Sequence, residues 1–546
     1  MGEGQKKNGK QVMNMRTSSQ SLWNRILLHP VSSGKESGLW IFILFCIISL
    51  RIILEGYLEA FKVLVPFAAY FGNFSYFIVI FLSLLLFLRL GTGKKLPFLL
   101  KPIILGFFLI VTVPLVDYII SGGKGYYLAY PNVSPLVILK SFPFIMKDIP
   151  GISPGMRIEA VAAMLSMFLF GILGWKIRWW HAIVLSLGIY TVVFLTGLYP
   201  GLIGSLSMPP RSVVEYSAPR FYLQTPPMET RWMLLICLEI LIMGFLENKD
   251  TVLKFFAGVK ISRLFFYTMI PLFGILLARK TGHFLMNNVR SLTLTQYGVR
   301  SLPVEEIPVR IILTLLSTAF AFIFAQMVND WYDRETDRIN GQPNFFNRGD
   351  LSPGIIGLYG TICGIWALAS GLSMGWPPFL FIASSIAGSI VYSAKPLRLK
   401  RAPFLSSVLV SLICGLLILY GFSFLPNSFF KRLFPQKLVW IILAALPLGL
   451  QVKDLKDIEG DRATGIWTVP VLLDRSWGIR VGTLLSIAGF ILAAKIMGGL
   501  FPMAVASLCS LAIIICVSFK QYAWAANCAI LGFALMSGIY LGIGTA

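Results

Sequence analysis

Apolar runs of about twenty residues recur along almost the whole chain, separated by short polar stretches. A helix of that length crosses a bilayer core, and only helices or closed barrels satisfy their backbone there. In the first half the runs fall at 39–57, 72–91, 102–119, 159–175, 181–204 and 231–247. In the second half they fall at 264–279, 307–328, 352–371, 376–392, 403–422, 437–450, 478–495, 501–518 and 523–543. The pattern predicts an all-α, polytopic membrane protein, with about six spans followed by nine. A polar, basic segment, 1–38, precedes them, with helical character near 19–28. It lacks a short apolar run ending in small residues, so no cleavable signal peptide is expected. The stretches 120–158 and 205–230 read as irregular, and the charged stretch 247–263 reads as a linker. The expected organisation is a basic cytoplasmic segment 1–38, a polytopic region 39–250 and a second membrane domain 251–546.

Composition supports that class. The chain is 56% hydrophobic and 13% charged, about half the charged fraction of a soluble domain. Its formal net charge of +23 is spread over short loops, as at Arg89, Lys94, Lys95, Lys101, Lys176 and Arg178. That distribution marks a cytoplasmic face and anionic headgroups, not nucleic acid. With the N-terminus inside, six spans place the loops 329–351, 393–402 and 451–477 on the inner side, which is the cytoplasmic face of the inner membrane in a bacterium. Arg279, Lys280, Arg290 and Arg300 would then lie outside, against the rule. The seven cysteines sit within apolar segments without zinc-ligand spacing, and His29, His181 and His283 are scattered.

The candidate chemistry lies in the second half. Asn329-Asp330-Trp331-Tyr332-Asp333-Arg334-Glu335-Thr336-Asp337-Arg338 directly follows an apolar run. Continuous helical spacing would put Asp330, Asp333 and Asp337 on one face. Carboxylates stacked in that way repel unless cations sit among them. Mg²⁺ prefers oxygen donors and is commonly held by one or two carboxylates together with substrate phosphates. Lys453-Asp454-Leu455-Lys456-Asp457-Ile458-Glu459-Gly460-Asp461-Arg462 repeats the same three-then-four spacing after another apolar run. A single acidic cluster is usually a solvated helix end. Two with one spacing at one membrane face point to a shared Mg²⁺ and diphosphate site. A third segment, Tyr392-Ser393-Ala394-Lys395-Pro396-Leu397-Arg398-Leu399-Lys400-Arg401, ends a further run on that side. There Lys395 and Arg398 can meet phosphate oxygens and Tyr392 can shield a carbocation, whereas Lys400 and Arg401 read equally as anchoring charge.

These three segments resemble the signature of the UbiA superfamily of intramembrane prenyltransferases. The resemblance rests on Asn329, Asp330, Asp333 and Asp337, on Tyr392 and Lys395, and on Asp454, Asp457 and Asp461, and it covers about residues 255–546. It implies a nine-helix bundle with a cavity opening to lipid. It also implies Mg²⁺-dependent transfer of a prenyl group from a polyprenyl diphosphate to a lipophilic or aromatic acceptor. A quinone precursor is favoured on family breadth alone. The roles it implies give metal and catalysis to Asp330, Asp333, Asp454 and Asp457, and diphosphate contacts to Asn329, Lys395, Arg398 and Lys453. Asp337, Asp461, Tyr392, Arg338 and Arg462 would support them. After the first motif many members of the family carry a basic residue and proline before a short Ser-Gly turn; the loop Asn344-Phe345-Phe346-Asn347-Arg348-Gly349 departs from that pattern, with part of the role expected of Arg348 and Gly349. A transporter or a non-catalytic lipid-diphosphate-binding protein are the alternatives. Transport sites lie near the midplane on broken helices, whereas these carboxylates follow apolar runs at one face.

Residues 1–250 carry no repeated Asp motif. Arg157 and Glu159 open a span there and read as an interfacial pair, while Tyr126, Tyr127, Tyr130 and Tyr199 suit the membrane interface. This half reads as accessory to the chemical step.

Overall fold

The computed structural model describes residues 30–31, 34–58, 67–126, 153–207, 228–288, 306–423, 434–473 and 475–542. The basic helix expected near 19–28 and residues Tyr127, Tyr130, Arg290 and Arg300 lie outside these. The protein is an all-α polytopic membrane protein. Among the described residues, fourteen helices are long and apolar enough to cross a membrane. The chain divides into two compact units, Met1–Lys249 and Asp250–Ala546.

The first unit contains α1 (Gly34–Leu58), α2 (Phe67–Thr92), α3 (Leu96–Phe107), α4 (Thr112–Ile120), α5 (Pro154–Leu173), α6 (Trp179–Ser207) and most of α7 (Met228–Ala257). A 3₁₀ turn, Phe108–Val111, joins α3 and α4 into one span. Five of the six expected spans are apolar enough to cross; the sixth, 231–247, falls in α7, where Arg231, Glu239 and Glu247 interrupt it. Burial of such charges in an apolar setting requires partners. The Ser83 hydroxyl donates to Glu239, Arg89 Nε lies 2.6 Å from Glu247, and Arg51 lies 2.8 Å from Glu55. The expected linker 247–263 is corrected in part: α7 continues to Ala257 past a non-helical Asn248 (φ −159°, ψ 85°).

The second unit contains nine apolar spans among its described residues. They are α8 (Ile261–Asn288), α9 (Glu306–Tyr332), α11 (Pro353–Ser373), α12 (Trp376–Ser393), α13 (Leu405–Phe422), α14 (Gln436–Lys456), α17 (Arg475–Met497), α18 (Leu500–Ser518) and α19 (Tyr522–Gly542). Three short helices lie between them: α10 (Arg334–Ile339), α15 (Ile458–Ala463) and α16 (Val469–Leu472). Short connections make sequential neighbours pack antiparallel, and α8 also packs on α13 and α19. Glycine permits the closest of these crossings: a Cβ on Gly274 of α8 would lie 2.9 Å from the Phe422 backbone nitrogen of α13. The core around Leu277, Phe422, Leu455, Phe490 and Phe533 includes a Phe490–Phe533 ring stack at 4.5 Å. Ser352 caps α11 by accepting from the Ile355 N–H, with Pro353 at the first helical position. Span α14 is irregular: a π turn at Ile441–Ala445 and a 3₁₀ segment at Leu450–Lys456 bring the second acidic motif to its end.

Candidate functional site

Both acidic motifs sit where a helix stops and restarts. At Asp333 the backbone leaves helical geometry (φ −105°, ψ 11°) between α9 and α10. At Asp457 it does the same (φ −111°, ψ 8°) between α14 and α15. Each motif also ends on one kind of turn. Gly341 (φ 61°) and Gly465 (φ 67°) take the left-handed conformation that glycine adopts at no steric cost. The N–H groups of Gln342 and Ile466 then return to the carbonyls of Asp337 and Asp461, both at 2.8 Å. The interruption is local: the Asp333 N–H still bonds the Asn329 carbonyl at 2.9 Å, the Asp337 N–H the Asp333 carbonyl at 2.8 Å and the Asp461 N–H the Asp457 carbonyl at 2.9 Å.

Asp330 is fully buried. Lys260 Nζ lies 2.9 Å from Oδ1, while Oδ2 accepts from the Phe345 N–H at 3.1 Å and from Gln326 at 3.4 Å. Asn344 donates to the Asp330 carbonyl at 2.8 Å and to the Asp337 carboxylate at 2.6 Å. Gln326 closes the network, accepting from the Lys260 N–H and donating to Gly258 O, each at 3.0 Å. Below it Phe345 stacks on Phe255 at 5.4 Å. A buried charge left without its partner is costly, so Lys260→Met should destabilise the protein by ~3–5 kcal/mol. Thermal unfolding of the purified full chain would show this as a lowered midpoint, and Lys260→Met in an Asp330→Leu background should cost much less. An unchanged midpoint in the single variant would reject the anchoring role.

Asp333 is buried beside two cations: Arg398 donates to it at 2.9 Å, and Lys400 pairs with it at closer range. Arg398, with φ 39°, also donates to the Tyr332 carbonyl at 3.1 Å. Burial pulls the Lys400 ammonium below its usual range, and Asp333 opposes that fall. Asn329 accepts from the Ser393 hydroxyl at 3.1 Å, which ties α9 to the end of α12. In the second motif Lys453 pairs with Asp454 at 2.8 Å and Lys456 with Asp457 at 2.6 Å. Burial, and then the charges of Asp454 and Asp457, push Asp461 up to about 7. Burial also raises Asp337, opposed by its Asn344 hydrogen bond.

The two motifs meet directly. Thr336 donates to Thr464 at 3.1 Å, and the Gly460 N–H donates to Asn340 Oδ1 at 3.0 Å. Lys395, by contrast, is exposed, as are Arg338, which pairs with Glu335 at 2.7 Å, and Arg462. Arg348 is taken up by Asp350 at 2.9 Å and by the Ala257 carbonyl. Tyr392 is half-buried at the end of α12. Lys260, Lys400, Gln326, Asn340 and Asn344 were not singled out from sequence as site residues. Only Lys400 carried a signal, as the next cation after Arg398 in the third segment.

Among the described residues, no three His, Cys, Asp or Glu side chains converge as a self-contained metal cage. The donor set still suits Mg²⁺. Its oxygens are hard, Asp454 and Asp457 lie close enough to Asp461 for their charges to raise it, and one or two carboxylates suffice when phosphates complete the shell.

The helical bundle and its paired acidic motifs define a class of membrane protein. The C-terminal portion of the chain, residues 291–538, matches the UbiA prenyltransferase family. Similar curated proteins include the digeranylgeranylglyceryl phosphate synthase of Methanothermobacter thermautotrophicus, 30% identical over 182 residues, 31% of this chain and 56% of that protein. The chloroplastic chlorophyll synthase of Oryza sativa subsp. japonica is 31% identical over 213 residues, 35% of this chain and 54% of that protein. The chain thus spans little more than half the length of these relatives. Similar solved structures include a UbiA homolog from Archaeoglobus fulgidus bound to DMAPP and Mg²⁺, with 18% identity, TM-score 0.34, and coverage of 50% of this chain and 94% of that one. Another is the apo UbiA homolog from Aeropyrum pernix K1, with 16% identity, TM-score 0.38, and coverage of 52% and 98%.

Proposed function

We propose that this protein transfers a prenyl group from a polyprenyl diphosphate to a lipophilic acceptor, with Mg²⁺, at the cytoplasmic face of its membrane. The observation that carries the reading is the direct docking of two acidic motifs at the ends of apolar spans, amid Arg398, Lys400 and Lys453. Asp333, Asp337, Asp454, Asp457 and Asp461 would hold the metal. Asp330, expected from spacing to be a ligand, is assigned instead as a buried anchor, because protein donors engage both its oxygens. Bound Mg²⁺ would supply charge neutralisation for the departing diphosphate. The chain's own residues do the rest. Arg398, Lys400 and Lys453 provide fixed positive charge beside the phosphates, and Asn329, held by Ser393, offers a polar contact. Lys395, exposed at the segment's end, is free to meet a phosphate entering from the aqueous side. Tyr392 shields the electron-poor prenyl carbon, and the apolar spans exclude water that would trap it as an alcohol.

A mass-spectrometric screen tests the reading. Purified protein is incubated with several prenyl diphosphates and with quinone-precursor, glycerol-lipid and tetrapyrrole acceptors. The expected product is an acceptor heavier by one prenyl group, with diphosphate released. Solute flux through vesicles without product would favour a transporter, and tight diphosphate binding without turnover a non-catalytic binder.

The carboxylates and their cations all lie after residue 250, so residues 39–250 are proposed to be accessory to the chemical step. Glu239→Gln, which removes a buried charge of the first unit while keeping an acceptor for Ser83, should leave turnover per folded molecule unchanged. Loss of turnover in a variant with an unchanged unfolding midpoint would count against this.

A further inference from the structure

On the reading of the two acidic motifs as one site, the side chains that join α10 to α15 take on a role of their own. The first turn of a helix leaves its N–H groups without partners inside the helix. In α15 the Asp461 N–H is satisfied by the Asp457 carbonyl at 2.9 Å, and the Gly460 N–H is satisfied from the other motif by Asn340 Oδ1 at 3.0 Å. Asn340 therefore caps a helix 120 residues away in sequence. The approach is close enough to require glycine, since a Cβ on residue 460 would lie 2.6 Å from Asn340 Cγ. Beside it, the Thr336 hydroxyl donates to Thr464 at 3.1 Å, and the Thr464 hydroxyl donates to the Gly460 carbonyl at 2.8 Å. The chain of donors runs one way, so each oxygen has a defined role. Thr336 adjoins Asp337, and Gly460 adjoins Asp461. Movement at either contact moves a carboxylate of each motif.

We propose that Asn340, Thr336, Gly460 and Thr464 form a latch that sets the distance between the two acidic motifs and thereby the affinity for Mg²⁺ and diphosphate. These are positioning residues: none needs to touch the substrate. Two carboxylates a few ångströms too far apart cannot share one metal–diphosphate assembly, whereas each motif alone retains only weak cation affinity. The latch supplies that spacing at the point where α10 and α15 pack, close to the carboxylates themselves.

The test uses the full chain in detergent, with Mg²⁺ and inorganic pyrophosphate as probes. The readouts are the pyrophosphate concentration giving half of the thermal stabilisation and the Mg²⁺ concentration giving half-maximal turnover. Asn340→Ala and Thr464→Val are each expected to raise both values about tenfold, equivalent to ~1.4 kcal/mol, the size of one or two lost hydrogen bonds. Turnover at saturating Mg²⁺ should recover largely, and Thr464→Ser, which keeps the hydroxyl, should restore the wild-type values. A lower unfolding midpoint with both half-effect concentrations unchanged would show a merely structural role and overturn the proposal. Thr336→Cys combined with Thr464→Cys covers the case of poorly folding single variants. Mild oxidation should join these positions in the full chain, as peptide mass spectrometry would show, and the joined protein should keep its Mg²⁺ response. Failure to join overturns the latch itself. Efficient joining without any wild-type response to Mg²⁺ and pyrophosphate would instead reject the proposed function and leave a docked pair of helices with no metal role.

Discussion

Removal of divalent metal is expected to stop prenyl transfer, and added Mg²⁺ to restore it. The magnitude follows from the charge that develops as the carbon–oxygen bond of the donor breaks. A departing diphosphate carries several negative charges into a site walled by apolar helices, where the local dielectric weakens solvent screening. The protein's own cations are largely committed. Arg398 and Lys400 share Asp333, Lys453 holds Asp454, and Lys456 holds Asp457. They cannot neutralise the leaving group alone. Metal stabilisation of such charge is worth several kcal/mol, so a loss of ~4 kcal/mol predicts a fall of about 10³ in turnover. Chelation of the purified protein, followed by titration with Mg²⁺ and then Ca²⁺, measures it. Ca²⁺ accepts looser and larger coordination, so weaker restoration is expected. Full turnover in chelator would sink the metal-dependent reading.

Loss of a single site carboxylate should have an effect of comparable size, and the two motifs allow structural and chemical roles to be separated. Asp457 is the cleaner position. Its side chain is partly exposed and its one ion pair, with Lys456, is of the kind that adds little to stability. Asp457→Asn should therefore keep the unfolding midpoint while reducing turnover about 10²- to 10³-fold, the range for removal of one group that stabilises developing charge. Asp333→Asn should reduce turnover as much but also lower the midpoint, because Arg398 and Lys400 would be left buried side by side. Asp330→Asn should act mainly on stability, since its carboxylate neutralises Lys260 inside the protein. Steady-state turnover normalised to folded protein, with unfolding midpoints for all three, decides among these roles. Near wild-type turnover in folded Asp457→Asn would remove the second motif from the site. An Asp330→Asn variant with an unchanged midpoint and abolished turnover would return Asp330 to the metal.

Much of this was legible in the chain because lipid imposes a simple rule. Each apolar run must close its own hydrogen bonds, so hydropathy alone locates the long apolar helices seen among the described residues of the second unit. The fainter case was 231–247, where apolar residues share one helix with buried Arg231 and Glu239, and hydropathy cannot report how those charges are accommodated. The acidic motifs were equally plain, because a doubled three-then-four spacing is a local property.

Hydropathy along the chain specifies the helical membrane class, and local spacing picks out the two acidic motifs. Tertiary structure decided which way those residues face. Spacing grouped Asp330 with Asp333, and the bundle gives them different partners: Lys260 and the Phe345 N–H for Asp330, Arg398 and Lys400 for Asp333. It also decided that Lys400, which reads as an anchoring charge, is buried on Asp333, while Lys395 stays exposed. The contacts of Asn340 with Gly460 and of Thr336 with Thr464 join positions more than 100 residues apart. The physical reason is range. Hydropathy and helical periodicity are set by neighbours within a turn or two, whereas ion pairing and capping across helices depend on which spans the bundle brings together.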